Sequence, residues 1–351
     1  MITSNYYAPT DVIFGENTES QAGKLVKQYG GSKVMIVYGG GSAKRSGLID
    51  KVEASLDAES ISYVEFGGVQ PNPLLTYAEE GVRQAIAEGI DFLLPVGGGS
   101  AIDTAKGIAH GAANPDLDLW DIWTRKVELN KTLPVGVVLT IPAAGSEMSD
   151  SAVLTNEALG RKAGLSTPHN RCKFAIMNPV WCLTLPAYQK AAGIADIMMH
   201  TMERYFIPGI SCQMTDEIAE GLLRTVIENG RRILADDNDV EAMGEVMWAS
   251  SLSHNGLTGF GRGGDFSVHK LGHALSYTYG TTHGASLACV WKSWALYLYE
   301  DALDRFARFA RKVWNITEED DKAAALAGIE ATDAFFKEIG MPVSLSDLEV
   351  S

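Results

Sequence analysis

The chain has 351 residues and a formal net charge of −15, with 46% hydrophobic and 21% charged residues. This length suffices for two domains with sizeable cores, and the composition is that of an ordinary globular protein. The acidic balance excludes a nucleic-acid partner, because no general basic field is present to replace phosphate counterions.

The sequence predicts neither export nor a membrane partner. Residues 1–15 lack the basic region and apolar run of a signal peptide, and no apolar stretch reaches membrane-spanning length. The cysteines lie far apart without a CxxC pair, which argues against a zinc-thiolate site and a disulfide framework. We therefore expect a cytoplasmic protein with four free thiols, at Cys172, Cys182, Cys212 and Cys289.

Strand and helix signals alternate over the first half of the chain. Residues 6–14 predict an edge hairpin or an irregular strand pair. Buried parallel strands are predicted from apolar runs at 33–38, 61–66, 91–96 and 135–140, and helices at 18–29, 47–56, 77–88 and 101–109. This alternation predicts a parallel sheet with helices on both faces, whose ligands bind at the carboxyl ends of the strands.

The pattern changes at Thr184-Leu185-Pro186. From there, long helical periodicities replace the strand signals, at 187–205, 216–234, 240–253, 286–313 and 318–339. We therefore predict an α/β domain at residues 1–184 and an all-α domain at 185–351.

Two glycine-rich loops, Gly39–Ser42 and Gly97–Ser100, each follow a predicted strand. Glycines let the backbone approach a ligand closely, and free amides at a helix N-terminus attract phosphate. The loops do not match the GxGxxG fingerprint, and plain tight turns are the alternative. Two such loops in one sheet favour a phosphate site, near which Asp103 would hold either the loop or a ribose.

The residue after the strand at 33–38 bears on the choice of dinucleotide. NAD-binding proteins often have an acidic residue there, which binds the ribose hydroxyls, whereas this chain has Gly39. Lys44 and Arg45 follow closely. The missing acid and the nearby cations predict a 2′-phosphate, and hence NADP(H), unless the two cations are merely solvated.

Five residues could ligate one metal ion. Asp196 and His200 are four apart on a predicted helix and so share one face. Three of the seven histidines fall within fifteen positions, at His269, His273 and His283. A carboxylate with imidazoles suits zinc or ferrous iron. The spacing leaves open which two of the three histidines complete the site. His110, His169 and His254 stand alone and are expected to be structural or at the surface.

The chain also carries a set of motifs that together are highly specific: Tyr38-Gly39-Gly40-Gly41-Ser42, Phe66-Gly67-Gly68 with Pro71-Asn72-Pro73, Val96-Gly97-Gly98-Gly99-Ser100, Thr140 to Glu147, Asp196-x3-His200 and His269-x3-His273-x9-His283. In these motifs it resembles the iron-containing alcohol dehydrogenase family, and most closely its NADPH-dependent butanol dehydrogenase and aldehyde reductase branch. The resemblance runs from Tyr7 to Ser346. It implies a dinucleotide-binding α/β domain with a parallel sheet and an all-α C-terminal domain, the dehydroquinate synthase-like fold.

The resemblance also implies roles for individual residues. The metal ligands would be Asp196, His200, His269 and His283, with His273 nearby as a substrate-side or proton-handling residue. The contacts implied for the cofactor fall into three groups: on the nicotinamide side Thr140, Ser149 and Lys162; at the pyrophosphate Gly98, Gly99 and Ser100 with Asp103 close by; on the adenosine side Gly39, Gly40, Ser42 and Asn72.

The activity implied is reversible hydride transfer between NADP(H) and small aldehydes or primary alcohols, with Fe²⁺ or Zn²⁺, in a homodimer. The alternative is an NAD-dependent polyol or hydroxy-acid dehydrogenase of the same fold. Family chains usually continue with further helix, and Ser346-Asp347 has the pattern of a helix cap. We therefore expect the C-terminal end at Ser351 to be incomplete.

Overall fold

The computed structural model describes residues 2–210 and 212–348. The chain divides into two compact units. The α/β unit comprises Ala8–Ile141 and Gly145–Cys182. The helical unit comprises the residues up to Tyr7, the short segment Pro142–Ala144 and the chain from Leu183 onward.

The α/β unit contains eight strands among its described residues: β1 (Asp11–Phe14), β2 (Lys33–Tyr38), β3 (Ser62–Phe66), β4 (Phe92–Gly97), β5 (Gly136–Leu139), β6 (Ser151–Asn156), β7 (Arg161–Ser166) and β8 (Phe174–Met177). Six form a parallel sheet in the order β1-β8-β5-β4-β2-β3, and β6 and β7 form an antiparallel pair. The predicted parallel sheet is confirmed. The hairpin predicted at residues 6–14 is wrong, because β1 is a single edge strand whose partner β8 lies far along the chain.

Six α-helices are described in this unit: α1 (Ala22–Gln28), α2 (Ser42–Arg45), α3 (Leu48–Ala58), α4 (Leu75–Glu88), α5 (Gly99–Ala113) and α6 (Leu119–Trp123). The apolar side chains of β2 and β4 are buried, with helices α1 and α3 contributing to the same core. Burial on both faces explains why these strands read as continuous apolar runs rather than as alternating ones.

The central strand β4 contains Pro95, which has no backbone N–H to donate to a neighbour. On one side it pairs with Val37 in a continuous β2–β4 ladder. On the other side a bridge at Leu93 precedes it, and the ladder with β5 resumes at Val96. The carboxyl end of β4, which leads into the Gly97–Ser100 loop, therefore stays anchored on both neighbouring strands.

In the helical unit the described residues form seven α-helices and no strand: α7 (Ala187–Tyr205), α8 (Gln213–Ala235), α9 (Val240–His254), α10 (Ser267–Tyr279), α11 (His283–Leu298), α12 (Leu303–Val313) and α13 (Asp321–Glu338). The predicted all-α character is confirmed, although the helix predicted at 286–313 is two helices. No described helix has the length and apolarity that a membrane crossing requires. Beyond Ser346-Asp347, the segment from residue 349 lies outside the described residues.

His110 on α5 is one of the solitary histidines, and it is structural. Its Nε2 donates to Asn170 Oδ1 at 2.8 Å, and its Nδ1 lies 2.8 Å from the Thr132 hydroxyl. Burial lowers the pKa of His110 from 6.5 to about 4. The unfolded chain therefore takes up a proton as the pH falls through 6.5, while the folded unit does not until about pH 4.

We expect this difference to remove about 3 kcal/mol of stability between pH 6.5 and pH 4. His110→Gln should flatten that part of the pH dependence of denaturant unfolding, whereas His169→Gln, at a half-buried position, should leave it unchanged. Identical pH slopes for wild type and His110→Gln would show that the histidine is not responsible.

Candidate active site

Helix α7 presents Asp196 and His200 one turn apart, within a stretch from Lys190 to Tyr205 that is buried throughout. The Asp196 Oδ1 atom lies 3.2 Å from His200 Nδ1. A carboxylate that is buried away from solvent needs a cation or hydrogen bonds to compensate its charge. The helix thus places two potential metal ligands where an uncompensated charge is costly.

Two further histidines approach the same carboxylate. His269 on α10 and His283 at the start of α11 place their Nε2 atoms 3.6 Å and 3.8 Å from Asp196 Oδ1. One ligand atom each from Asp196, His200 and His269 lies within 4.8 Å of the others. The structure therefore brings all four predicted metal ligands around one oxygen atom.

Close packing of α11 against α7 makes this convergence possible. Gly284, which follows His283, lies so close to α7 that a Cβ atom there would be 1.9 Å from the carbonyl oxygen of Ala192. Only glycine permits this approach without a shift of the backbone. The position of His283 thus depends on its small neighbour.

The unsatisfied atoms of the cluster fit a divalent metal ion. Within the described part of the chain, Asp196 Oδ1, His200 Nδ1 and His269 Nε2 are buried atoms without a hydrogen-bond partner. Buried polar atoms in proteins nearly always have a partner, so three orphans at one point indicate a missing ligand. A carboxylate with imidazoles is a donor set typical of zinc and ferrous iron.

The pKa values of two histidines in the cluster are shifted in opposite directions. Burial holds the pKa of His200 well below its usual range. Burial also acts to lower the pKa of His269, but the carboxylates of Asp196 and Glu203 outweigh it and raise that pKa to about 9. A proton on His269 therefore compensates the carboxylates, and a bound cation would have to displace it.

Two residues at the cluster escaped the sequence analysis. Glu203 is fully buried on α7, and its carboxylate accepts a hydrogen bond from His269 Nδ1. His254, expected to be structural or at the surface, packs its ring edge-on against His200 with 4.0 Å between centroids. The spacing of Glu203, three residues after His200 and seven after Asp196, could have placed it on the same helical face.

His273 lies beside the four predicted ligands. Its ring centroid is 5.2 Å from that of His283 and 6.4 Å from that of His269. It is partly exposed, unlike His200 and His269. The position is compatible with a group that exchanges protons next to a metal site.

The predicted cofactor residues of the α/β unit gather mostly at one edge of the sheet. Strands β5, β4 and β2 are neighbours, and their carboxyl ends carry Thr140, the loop Gly98-Gly99-Ser100 and the loop from Gly39 to Ser42. The Thr140 amide donates to the Gly97 carbonyl, which joins two of these ends. A Cβ atom at Gly97 would lie 2.7 Å from Ala101 Cβ, so the tight turn into α5 requires glycine.

Asn72 and Lys162 were assigned to opposite ends of the dinucleotide, but their side chains are in contact. The Lys162 Nζ atom donates to Asn72 Oδ1 at 2.9 Å. Asn72 lies in the loop before α4 and has a positive φ of 56°. Two side chains in direct contact lie at one place in the α/β unit, which favours one end of the dinucleotide for both.

Asp103 and Ser149 are engaged inside the α/β unit. The Asp103 carboxylate accepts from Ser146 Oγ at 2.6 Å and from the Val153 amide at 2.9 Å. This favours its loop-holding role over a ribose contact. Ser149 is fully buried and its hydroxyl donates to the Ser151 carbonyl, so it presents no surface to a cofactor. Its burial weighs against the predicted cofactor contact, which stays a prediction.

The cations that were predicted to bind a 2′-phosphate are not both available. Lys44 donates to both carboxylate oxygens of Glu65, at 2.7 Å and 2.8 Å, and Tyr38 donates to the same group. Arg45 is exposed, with its guanidinium 3.5 Å from the Gly40 carbonyl. Of these two cations, only Arg45 has no ion pair among the described residues.

Family models match nearly the whole chain. Residues 9–179 match the model of iron-containing alcohol dehydrogenase, and residues 190–351 match that of the C-terminal domain of the same family. The chain belongs to the iron-containing alcohol dehydrogenase family. It is an oxidoreductase of that family, and the fold and activity class predicted from the sequence are confirmed.

Family members of named activity are similar over most of their length. NADH-dependent butanol dehydrogenase A of Clostridium acetobutylicum is 39% identical, over 100% of this chain and 90% of the relative. NADPH-dependent aldehyde reductase YqhD of Escherichia coli is 37% identical, over 98% and 88%. The crystal structure of NADH-dependent butanol dehydrogenase A from Thermotoga maritima superposes with a TM-score of 0.97 at 38% identity, covering 99% of this chain and 87% of that one.

Proposed function

We propose that this enzyme transfers hydride reversibly between NADP(H) and small aldehydes or primary alcohols, with one Fe²⁺ or Zn²⁺ ion held by Asp196, His200, His269 and His283. The observation that carries the proposal is the buried cluster, in which three imidazoles lie 3.2, 3.6 and 3.8 Å from Asp196 Oδ1. The named activities of relatives support the substrate class. A cytoplasmic homodimer completes the proposal, consistent with four buried thiols.

The side chains of the proposed metal site have two roles: four of them hold the ion, and His273 exchanges a proton. When bound, a divalent ion supplies Lewis acidity towards the carbonyl oxygen of an aldehyde, and a nicotinamide supplies or accepts the hydride. Asp196 is the only anionic residue among the proposed ligands, and the three imidazoles lie around its buried carboxylate. His273, partly exposed and next to His283, exchanges the proton that the alcohol oxygen gains or loses.

Residues at the sheet edge bind the cofactor in this proposal. The amides at the start of α5 hold the pyrophosphate through Gly98, Gly99 and Ser100, because a helix N-terminus attracts anions. Thr140 and the hydrogen-bonded pair of Lys162 and Asn72 serve the nicotinamide side. The adenosine side is bound by the loop that contains Gly39, Gly40 and Ser42.

The preference for NADP(H) rests on the loop after β2. Gly39 carries no carboxylate to repel a 2′-phosphate, and the exposed Arg45 lies next to Gly40. The ion pair between Lys44 and Glu65 works against the preference, because it neutralises one of the two cations.

Substitutions in this loop test the preference. Gly39→Asp should lower the ratio of kcat/KM for NADPH to that for NADH by about tenfold or more, because a carboxylate would repel the 2′-phosphate at a cost of roughly 1.4 kcal/mol. Glu65→Gln should raise the same ratio, because it releases Lys44. Steady-state kinetics with both cofactors measure the two effects, and unchanged ratios in both variants would remove the cofactor argument.

The proposed activity is tested with butanal and NADPH before and after metal removal. Chelator-treated protein should lose most of its activity and regain it with added Fe²⁺ or Zn²⁺, while Mg²⁺, which prefers oxygen ligands, should not restore it. Full activity of protein shown to be metal-free would contradict the proposal.

A further inference from the structure

A single buried carboxylate joins the two helices that carry the proposed metal ligands. Glu203 lies on α7 and is 0% exposed. Its Oε1 atom accepts from the amide of Val268 at 2.6 Å and from that of His269 at 3.3 Å, at the first turn of α10. Its Oε2 atom accepts from the ring Nδ1 of His269.

This arrangement determines which ring nitrogen of His269 faces the cluster. Because Nδ1–H donates to Glu203, Nε2 is the nitrogen that lies on the side of Asp196, 3.6 Å from that carboxylate, and it is the one that a metal ion would take. A carboxylate on the far nitrogen of a metal-binding histidine orients the ring and makes it a stronger base.

We infer that Glu203 is a positioning residue for the metal site, acting through His269. It ties the start of α10 to α7, so that His269 reaches the face occupied by Asp196 and His200. The inference rests on the proposed function, because it requires that a metal ion binds there.

The amide of glutamine cannot replace this carboxylate. All three described hydrogen bonds to Glu203 come from N–H donors, and both of its oxygens are used. Glutamine has one acceptor oxygen and one NH₂ donor. Its NH₂ group would therefore face an N–H donor, either at the backbone amides of α10 or at His269 Nδ1. Glu203→Gln therefore changes the contact to His269 with almost no change in side-chain volume.

The test is the affinity of metal-free protein for Zn²⁺, measured by competition with a chelator of known affinity. Glu203→Gln should bind Zn²⁺ about 10–100-fold more weakly than wild type, the usual cost of losing such an outer partner. At saturating Zn²⁺ the variant should recover much of its butanal reductase activity, because all four ligands remain.

Glu220→Gln is the matched control. Glu220 is equally buried in the helical unit, and its carboxylate accepts from Tyr205 at 2.6 Å and from Arg308. This variant should lose thermal stability without losing Zn²⁺ affinity. If Glu203→Gln does not fold, Glu203→Asp, which keeps two acceptor oxygens on a shorter side chain, should also weaken Zn²⁺ binding, by a smaller factor.

The outcomes separate the two proposals. Wild-type Zn²⁺ affinity in Glu203→Gln, with a lower melting temperature of the metal-free protein, would assign Glu203 a purely structural role and overturn the inference alone. Wild-type protein that binds no Zn²⁺, Fe²⁺ or Co²⁺ would overturn the proposed metal site and this inference together.

Discussion

His200→Ala is expected to remove the bound metal and, with it, the oxidoreductase activity, while the fold is kept. The loss of metal affinity should exceed the roughly 10–100-fold that an outer-shell substitution costs, because a direct ligand is lost. The metal-free fold should tolerate the change at about 1 kcal/mol, since the Nδ1 atom of His200 is a buried atom without a hydrogen bond. Metal analysis and circular dichroism of the purified variant measure both effects.

His169→Ala serves as the control, because this half-buried histidine belongs to the α/β unit and is not one of the proposed ligands. It should keep the full metal content. Adding Zn²⁺ should raise the melting temperature of wild type and of the control but not that of His200→Ala, because only a protein that binds the ion is stabilised by it. His200→Ala with full metal stoichiometry would show that the ligand assignment is wrong.

Gly284→Ala is the substitution with the second largest expected effect. The added Cβ atom would meet the carbonyl oxygen of Ala192 at 1.9 Å, which is backbone and cannot rotate away. Helices α7 and α11 must therefore separate, at a cost of about 1–3 kcal/mol or more. Because His283 directly precedes Gly284, the separation should also move this imidazole from Asp196 and weaken Zn²⁺ binding.

Gly221→Ala is the matched control for this prediction. Gly221 lies inside α8, and the nearest atom to an added Cβ is the end of a flexible arginine side chain at 3.9 Å. Alanine there should stabilise the helix by about 0.5–1 kcal/mol and leave metal binding unchanged. Chemical denaturation and zinc titration of both variants provide the comparison; equal behaviour of the two would rule out a special constraint at Gly284.

The fold was predictable where local pattern and burial agree. The runs at 33–38 and 91–96 are apolar because β2 and β4 are buried on both faces, and this signal is visible in the sequence alone. The edge strand β1 was mistaken for half of a hairpin, because its partner β8 lies more than 150 residues away. Pairing over such a distance leaves no local trace.

The candidate metal site was predictable only where its residues are close in sequence. Asp196 and His200 share a face through helical spacing, but spacing could not select between His269, His273 and His283. The family resemblance supplied that choice, and the structure brings the chosen four together. Glu203 was missed because its partner His269 lies 66 positions away.

The cofactor residues show the limits of motif transfer. Lys162 and Asn72 are 90 positions apart, and only the folded chain shows that they are hydrogen-bonded to each other. Burial of Ser149 and the pairing of Lys44 with Glu65 are likewise tertiary effects, which no sequence motif reports.

The most direct test of the account is anomalous X-ray diffraction at the zinc or iron edge from crystals of the metal-loaded protein. We predict one strong peak in each protomer, bonded to Asp196 Oδ1 and to ring nitrogens of His200, His269 and His283 at about 2.0–2.2 Å. A loaded crystal with no peak among these side chains, or with its metal at another position, would contradict the central claim.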